Sequence, residues 1–197
     1  MELEYRDFYG EYYEDLLFAQ TEVMDFLMGK MSKGSKSFEH CYSRVKRPAS
    51  MIEKLRMRNL PIEPETAVLQ ITDAVGVRVI CSFLEEVYGI ADEIRGYGWE
   101  IYKCKDYIAH PKGNGYRSYH MVVMVTTPRE LEIPVEIQIR TIAQDAWANL
   151  EHQMKYKKEI KDTALIQREL KRCADEIAST DISMQTIREL IMEAALE

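Results

Sequence analysis

The chain has no apolar run near the ~20 residues that a bilayer-spanning helix needs. Its opening, Met-Glu-Leu-Glu-Tyr-Arg-Asp, lacks the basic-then-apolar plan of a secretory signal. No membrane association is therefore expected, and the expected location is the cytoplasm. Cysteine is sparse: Cys41, Cys81, Cys104 and Cys173 are scattered without a C-x-x-C pair. That argues against both a zinc site and a disulfide framework. Cys81 closes an apolar strand pattern and reads as core. Internal repeats and low-complexity tracts are absent. Positive charge is not in excess either, with 26 Lys and Arg against 33 Asp and Glu and a net charge of −7. A long duplex-binding surface is thereby disfavoured.

The charge that is present is unevenly spread. The first thirty residues carry eight acids and two bases, whereas Arg44 to Arg58 holds six basic residues and one acid, Glu53. This pattern suits a local pocket for an anion on an acidic body; Arg56 and Arg58 fit a solvated helix face instead. With 197 residues, 46% of them apolar, the chain can bury the core of one domain with appended helices.

Hydrophobic periodicity predicts a helix over 4–31, marked by Phe8, Tyr12, Leu16, Ala19, Val23 and Phe26, and a break at Gly34. A strand over 38–46 leads to a helix from Pro48 to about Asn59, then a loop over Leu60–Pro64. Val75–Phe83 is a strand rich in β-branched residues, and Glu85–Tyr97 a helix closed near Gly98. Three strands follow (Trp99–Tyr107, Ser118–Thr127, Ile133–Thr141), then a helix over Ile142–Lys157 and two more helices separated near Ser179-Thr-Asp. Strands and helices in alternation, with two late hairpin-like links, predict an α/β layer fold with a mixed sheet. An apolar stripe of Ile160, Leu165, Ile166, Leu170, Cys173 and Ile177 is expected to pack on the first helix or on another subunit.

The most informative segment runs from Lys105 to His120 (Lys-Asp-Tyr-Ile-Ala-His-Pro-Lys-Gly-Asn-Gly-Tyr-Arg-Ser-Tyr-His). A plain hairpin needs only the Asn-Gly turn, not cations on both flanks and a tyrosine directly after it. Glycines let a loop backbone approach phosphates, lysines neutralise them, and a tyrosine ring gives a base a flat face. Downstream, in Ile133-Pro-Val-Glu-Ile-Gln-Ile-Arg140, strand period puts Glu136, Gln138 and Arg140 on one face and Val135, Ile137 and Ile139 on the other. Upstream lie Ser43-Arg-Val-Lys-Arg-Pro-Ala-Ser50 with Lys54, and Ile71-Thr-Asp-Ala-Val-Gly-Val-Arg78. Arg44 and Lys46, two apart, face the same way on a strand. Asp73, just before a strand, serves either as a turn cap or as a hard oxygen ligand, since Mg²⁺ takes one or two carboxylates plus phosphate oxygens. Asp145, Asn149 and His152 share a polar helix face, with Trp147, Leu150 and Met154 opposite. Ser50 fits a phosphate contact or a helix N-terminal hydroxyl equally. His152 reads as a plain helix-face histidine, and His40 and His110 have no assigned role.

These segments, with Glu136-Ile-Gln-Ile-Arg-Thr141 running through Asp145-Ala-Trp-Ala-Asn149 to Lys155-Tyr-Lys157, together resemble the synthetase domain of the RelA/SpoT family over roughly 35–160. The short chain is similar to the stand-alone small alarmone synthetases of the RelQ type. The resemblance implies a nucleotidyltransferase-like mixed β-sheet flanked by helices. Its implied domain plan is an N-terminal helix over 1–34, a synthetase core over 35–158 and C-terminal helices over 159–197 that build an oligomer. It further implies a Mg²⁺-dependent transfer of pyrophosphate from ATP to the ribose 3′-hydroxyl of GDP or GTP, giving ppGpp or pppGpp and AMP. Asp73 and Glu136 would hold the metal, with Glu136 acting as or positioning the base. Arg44 and Arg78 would sandwich adenine while Lys46 and Lys54 hold ATP phosphates. Tyr116 would stack on guanine; Lys105, Lys112, His120, Gln138 and Asp145 complete the acceptor site, Asp145 accepting from the guanine edge. A homotetramer, with single-stranded RNA or pppGpp as regulator, is the implied assembly. Alarmone hydrolysis is not expected, because bifunctional members carry a separate His-Asp domain and no His-Asp dipeptide occurs here. Two rivals are weaker. A toxic relative acting on the tRNA 3′ end would need a basic RNA-docking surface. A catalytically silent nucleotide or RNA sensor would not need both Asp73 and Glu136.

Overall fold

Period-two alternation along the apolar strands shapes how this chain folds. In the computed structural model, which describes residues 2–32, 38–155 and 163–195, β2 (Val75–Cys81) buries Val75, Val77 and Val79 on one face while Gly76 and Arg78 stay partly open on the other. β5 (Glu132–Thr141) does the same, burying Val135, Ile137 and Ile139 opposite Glu136 and Gln138. With β1 (His40–Val45), β3 (Glu100–Asp106) and β4 (Tyr119–Thr126) they form a five-stranded sheet in the order β1-β2-β5-β4-β3. Only β2 and β5 pair in parallel; the other three ladders are antiparallel. The sheet is mixed, as the order of elements predicts.

The apolar face is covered by α2 (Tyr12–Ser32) and α5 (Leu84–Arg95). Leu16, Ala19, Val23 and Leu27 of α2 and Val87, Ile90, Ala91 and Ile94 of α5 are almost wholly excluded from water. At about 1.5–3 kcal/mol for each large side chain removed from water, these two stripes supply the main driving force for docking. The Glu86 carboxylate accepts the N–H groups of Ser82 and Phe83 and so closes the start of α5. α3 (Pro48–Met57) begins on a proline, whose missing N–H leaves no orphan donor there.

Three elements differ from the sequence expectation. The single N-terminal helix is two, α1 (Glu2–Tyr9) and α2, because Gly10 takes φ +56°; the apolar periodicity runs through this turn and hides it. A short helix, α4 (Pro64–Leu69), follows the predicted Leu60–Pro64 loop, its residues Ala67 and Val68 buried. The two C-terminal helices are one continuous α7 (Thr163–Ala194). The polar run Ser179-Thr-Asp does not break it: the Thr180 and Ser183 hydroxyls donate back to the carbonyls of Glu176 and Ser179, and Asp181 turns inward to Thr141.

Among the described residues α7 packs on α6 (Ile142–Lys155) and on α5 rather than on the first helix. The Trp147 indole donates to the Leu170 carbonyl. Leu150 and Met154, expected on the apolar side of α6 with Trp147, are exposed. Ile160, the Tyr156-Lys157 end of the last motif and both expected domain boundaries lie outside the described residues.

Candidate active site

The face of the sheet opposite α2 and α5 carries the chemistry, and strand register aligns it. Tyr42 of β1 pairs with Arg78 of β2, Arg78 with Gln138 of β5, Gln138 with His120 of β4, and His120 with Lys105 of β3. The neighbouring row is Arg44, Gly76, Glu136. A Cβ placed on Gly76 would meet nothing within 4 Å. The absent side chain thus leaves a gap between Arg44 and Glu136. The gap is the floor of a cavity of about 240 Å³ lined by Tyr42, Arg44, Asp73, Arg78, Glu136 and Gln138 among others.

Asp73 sits in the turn entering β2. Its Oδ2 accepts from Lys46 at 2.8 Å and Lys54 at 2.6 Å, while Oδ1 is buried with no hydrogen-bond partner. Burial raises the pKa of this carboxyl, but the hydrogen bonds and charges of the two lysines outweigh it and hold the group below its ordinary value. An ionised carboxylate with one oxygen committed and the other bare is a suitable partner for a hard cation. Lys46 is braced from below: its N–H donates to the Ala74 carbonyl and its own carbonyl accepts from the buried Tyr9 hydroxyl.

Toward β3, the loop after Asp106 folds back over the same face. Tyr116 Oη lies 2.8 Å from His120 Nε2 and accepts from Arg140 at 2.5 Å. Lys112 Nζ stands 4.6 Å from the ring centres of both Tyr107 and Tyr116. Lys105 Nζ lies 5.6 Å from the Tyr107 ring centre. Burial, then the nearby Arg140, Lys112, Lys105 and Arg78 charges, push His120 down to about 3, so its imidazole is neutral near pH 7. Its Nδ1 is 3.8 Å from Glu136 Oε1, too far for a hydrogen bond. The other oxygen of Glu136 accepts from Gln138 at 2.7 Å, and Gln138 accepts from Arg140 at 2.8 Å.

Arg140 is the connector that local sequence reading undervalues. It is 4% exposed and donates to Ser118, Tyr116, Gln138 and Asp145. Its place on the Glu136 face follows from strand period; its burial depends on α6 closing over the strand end. Asp145, expected at the acceptor base, has both oxygens engaged. Oδ1 bridges Arg78 and Arg140 at 3.1 Å each, and Oδ2 accepts from Asn149. It links the two halves of the site. Ser50 and His152 are exposed. Tyr42 is a lining residue the motifs do not contain; its signal was its position two residues before Arg44 on the same strand face.

The structure gathers the candidate residues over one sheet face, with Asp145 of α6 joined to it through Arg78 and Arg140. Arg44, Lys46, Lys54, Asp73 and Arg78 lie at the β1–β2 end; Lys105, Lys112, Tyr116 and His120 lie at the β3–β4 end; Glu136 and Gln138 stand between. Among the described residues no cluster of three or more His, Cys, Asp or Glu forms a cation cage.

A family model described as a region found in RelA / SpoT proteins matches residues 43–161. The chain is 41% identical over 128 residues to the GTP pyrophosphokinase YwaC of Bacillus subtilis (strain 168), covering 63% of this chain and 61% of that protein. It is 34% identical over 160 residues to the GTP pyrophosphokinase YjbM of the same strain, covering 79% of this chain and 74% of that protein. The match thus spans somewhat under two thirds of the first relative's length and about three quarters of the second's. Among solved structures, the small alarmone synthetase 1 of Bacillus subtilis bound to its product pppGpp superposes with a TM-score of 0.76 at 27% identity, covering 92% of this chain and 94% of that one.

Proposed function

The chain belongs to the RelA/SpoT family, and from that premise we propose that it is a pyrophosphokinase that makes the alarmones ppGpp and pppGpp. ATP gives its β,γ-pyrophosphate to the ribose 3′-hydroxyl of GDP or GTP: a bond forms from that oxygen to the β-phosphorus, the bond to the α,β-bridging oxygen breaks, and AMP leaves. The observation that carries this reading is the placement of two cation groups at opposite ends of one sheet face with Glu136 between them. One nucleotide at each end meets over Glu136. Such a transfer depends on positioning and charge stabilisation more than on covalent chemistry.

In this reading Arg44 and Arg78 hold the adenine between guanidinium planes, and Lys46 and Lys54 take the ATP phosphates. Tyr116 stacks on guanine, a base reaching its face by displacing the Lys112 ammonium. Lys105, Lys112 and His120 line the acceptor, and Gln138 fixes the Glu136 carboxylate that takes the hydroxyl proton. Asp73 and Glu136 fit Mg²⁺, the bare buried Oδ1 of Asp73 most directly, and the ion would neutralise the transferring phosphates. Asp145 keeps Arg78 and Arg140 aligned across the site.

The test is direct: the purified protein is incubated with labelled ATP and, separately, GDP, GTP or tRNA. Label on GDP or GTP is expected; label on tRNA alone would overturn the reading. Tyr116→Ala assigns the halves. It removes a stacking face worth roughly 1–3 kcal/mol, so KM for the guanine nucleotide rises about 5-fold or more while KM for ATP changes much less. If ATP binding collapses and acceptor binding persists, the two ends are reversed.

The same reading includes a homotetramer built by helices outside the catalytic core. The distal half of α7 exposes Ile182, Ile187, Leu190 and Ile191, each about half or more accessible. A run of that size is an interaction surface rather than ordinary surface. Light scattering at micromolar concentration is expected to give the mass of a closed assembly, and a monomer mass would refute it. Single-stranded RNA or the product pppGpp are the regulators this reading admits. No helix of the described residues is long and apolar enough to cross a membrane, and we place the enzyme in the cytoplasm with its nucleotide substrates.

A further inference from the structure

The acceptor loop is built against the C-terminal helix as well as against the sheet. Gly115 is buried at φ +89°, and a Cβ there would stand 2.6 Å from the Ala174 Cβ and 3.2 Å from the Lys171 Cα of α7. Two residues on, Arg117 Nη1 donates to the Gly115 carbonyl at 3.0 Å and to the Ala174 carbonyl at 3.2 Å. Its Nη2 donates to Asp175 at 2.9 Å, and Asp175 is steadied by Lys171 at 2.6 Å. On the loop's near shoulder Asn114 donates to Glu151 of α6 and accepts the Tyr116 N–H.

Tyr116 is thus held at both ends by different elements. Arg140 and His120 fix its hydroxyl from the sheet. Its backbone neighbours, Gly115 and Arg117, are fixed by a helix some 57 residues further along the chain. The Arg117 side chain is only 16% exposed, whereas that of Asp175 is 45% exposed, so the guanidinium is the inserted member and the carboxylate its surface anchor. A loop that needed only to cover the sheet would not require an arginine shared between its own carbonyl and a mid-helix carbonyl. That sharing fixes the angle at which the loop leaves α7, and with it the plane of the Tyr116 ring.

We propose that Arg117, anchored by Asp175, is a positioning residue for the acceptor nucleotide. The clamp pre-sets the loop so that the Tyr116 ring is already held beside His120 and Arg140 before the acceptor binds. The inference rests on the assignment of this loop to GDP or GTP. Pre-organisation of this kind improves binding by removing an ordering cost at the moment of association. Its loss is therefore felt in acceptor binding and not in ATP binding, whose residues lie on β1, the link to α3, α3 itself and β2.

The experiment compares Arg117→Gln, Asp175→Asn, Asp175→Glu, their Gln/Asn double variant and Tyr116→Ala in the full-length protein, with each substrate varied at saturating levels of the other. Arg117→Gln and Asp175→Asn are each expected to raise the acceptor KM about 5-fold and to leave the ATP KM within about 2-fold. The double variant is no worse than the worse single, because the pair acts as a unit. Asp175→Glu retains most of the normal acceptor KM. Amide hydrogen exchange over 112–117 speeds up in both single variants. A merely structural role would instead lower the thermal midpoint and move both KM values together, and that result overturns the inference. Asp175 lies on the exposed side of its helix, so its substitution reads the clamp even if Arg117→Gln fails to fold. Tyr116→Ala separates the two levels. If it raises the acceptor KM and the clamp variants do not, the clamp alone is wrong; if it leaves the acceptor KM unchanged, the loop assignment fails and the clamp falls with it.

Discussion

Asp73→Asn and Glu136→Gln are each expected to lower pyrophosphate transfer by at least ~100-fold, the scale of losing a major electrostatic group in a transfer reaction. Both replacements keep the shape of the side chain, so the loss comes from charge. At Asp73 the asparagine would face Lys46 and Lys54 without neutralising either, and its buried oxygen would no longer carry the charge that a cation needs. At Glu136 the amide would still meet Gln138 but could not take a proton from the acceptor hydroxyl. Circular dichroism and a thermal melt establish that each variant is folded before its rate is compared. Near-normal turnover in either folded variant would falsify the two-carboxylate mechanism. Acid titration provides a second readout for Asp73. Its carboxyl is held below the ordinary value in the folded chain, so its contribution to stability is full above the unfolded pKa and is lost as pH falls through the folded pKa. The unsubstituted protein should therefore lose stability more steeply than Asp73→Asn as the pH falls below the ordinary carboxyl range, about 4. Equal acid sensitivity would show that the lysine pair does not depend on this carboxylate.

Much of this site was legible in the chain because it lies on strands. Strand period fixes which side chains share a face, and the β-branched run of β2 and the alternation of β5 are local patterns that no distant contact needs to supply. Glu136, Gln138 and Arg140 could be placed together on that ground. The pairing that puts Arg78 beside Gln138 could not, since the parallel β2–β5 ladder joins segments about sixty residues apart. Helix ends were harder. Gly10 breaks a helix whose apolar spacing continues unbroken, and Ser179-Thr-Asp fails to break one because the Thr180 hydroxyl bonds back along the helix and Asp181 finds Thr141. Side-chain partners across the fold left no local mark at all. Asp145 reads from sequence as one acid on a polar helix face; only the fold shows two guanidiniums on a single oxygen. Arg117 likewise has nothing within its own loop to announce Asp175.

Gly115→Ala is the second substitution expected to have a large effect. At φ +89° an alanine is strained whatever the surrounding space. Space is lacking as well: the added methyl would press on the Cβ of Ala174, which is 4% exposed, and on the Lys171 Cα, part of a helix backbone that cannot rotate aside. Overpacking of this kind costs about 1–3 kcal/mol, and the loop is the partner with more freedom to yield. It is expected to lift from α7 and carry Tyr116 and Lys112 away from their present places beside His120 and Tyr107. Every 1.4 kcal/mol is tenfold, so kcat/KM for GDP or GTP should fall about 5- to 100-fold. KM for ATP should hold, because Arg44, Lys46, Lys54 and Arg78 lie at the other end of the sheet face. The double variant Gly115→Ala with Ala174→Gly distinguishes the two causes. It removes the methyl contact, keeps the strained backbone, and adds the ~1 kcal/mol that glycine costs inside a helix. Partial recovery of acceptor use in the double variant, with a lower thermal midpoint, is the expected result. Acceptor kinetics in Gly115→Ala equal to those of the unsubstituted protein would mean that the loop works without its seat on α7.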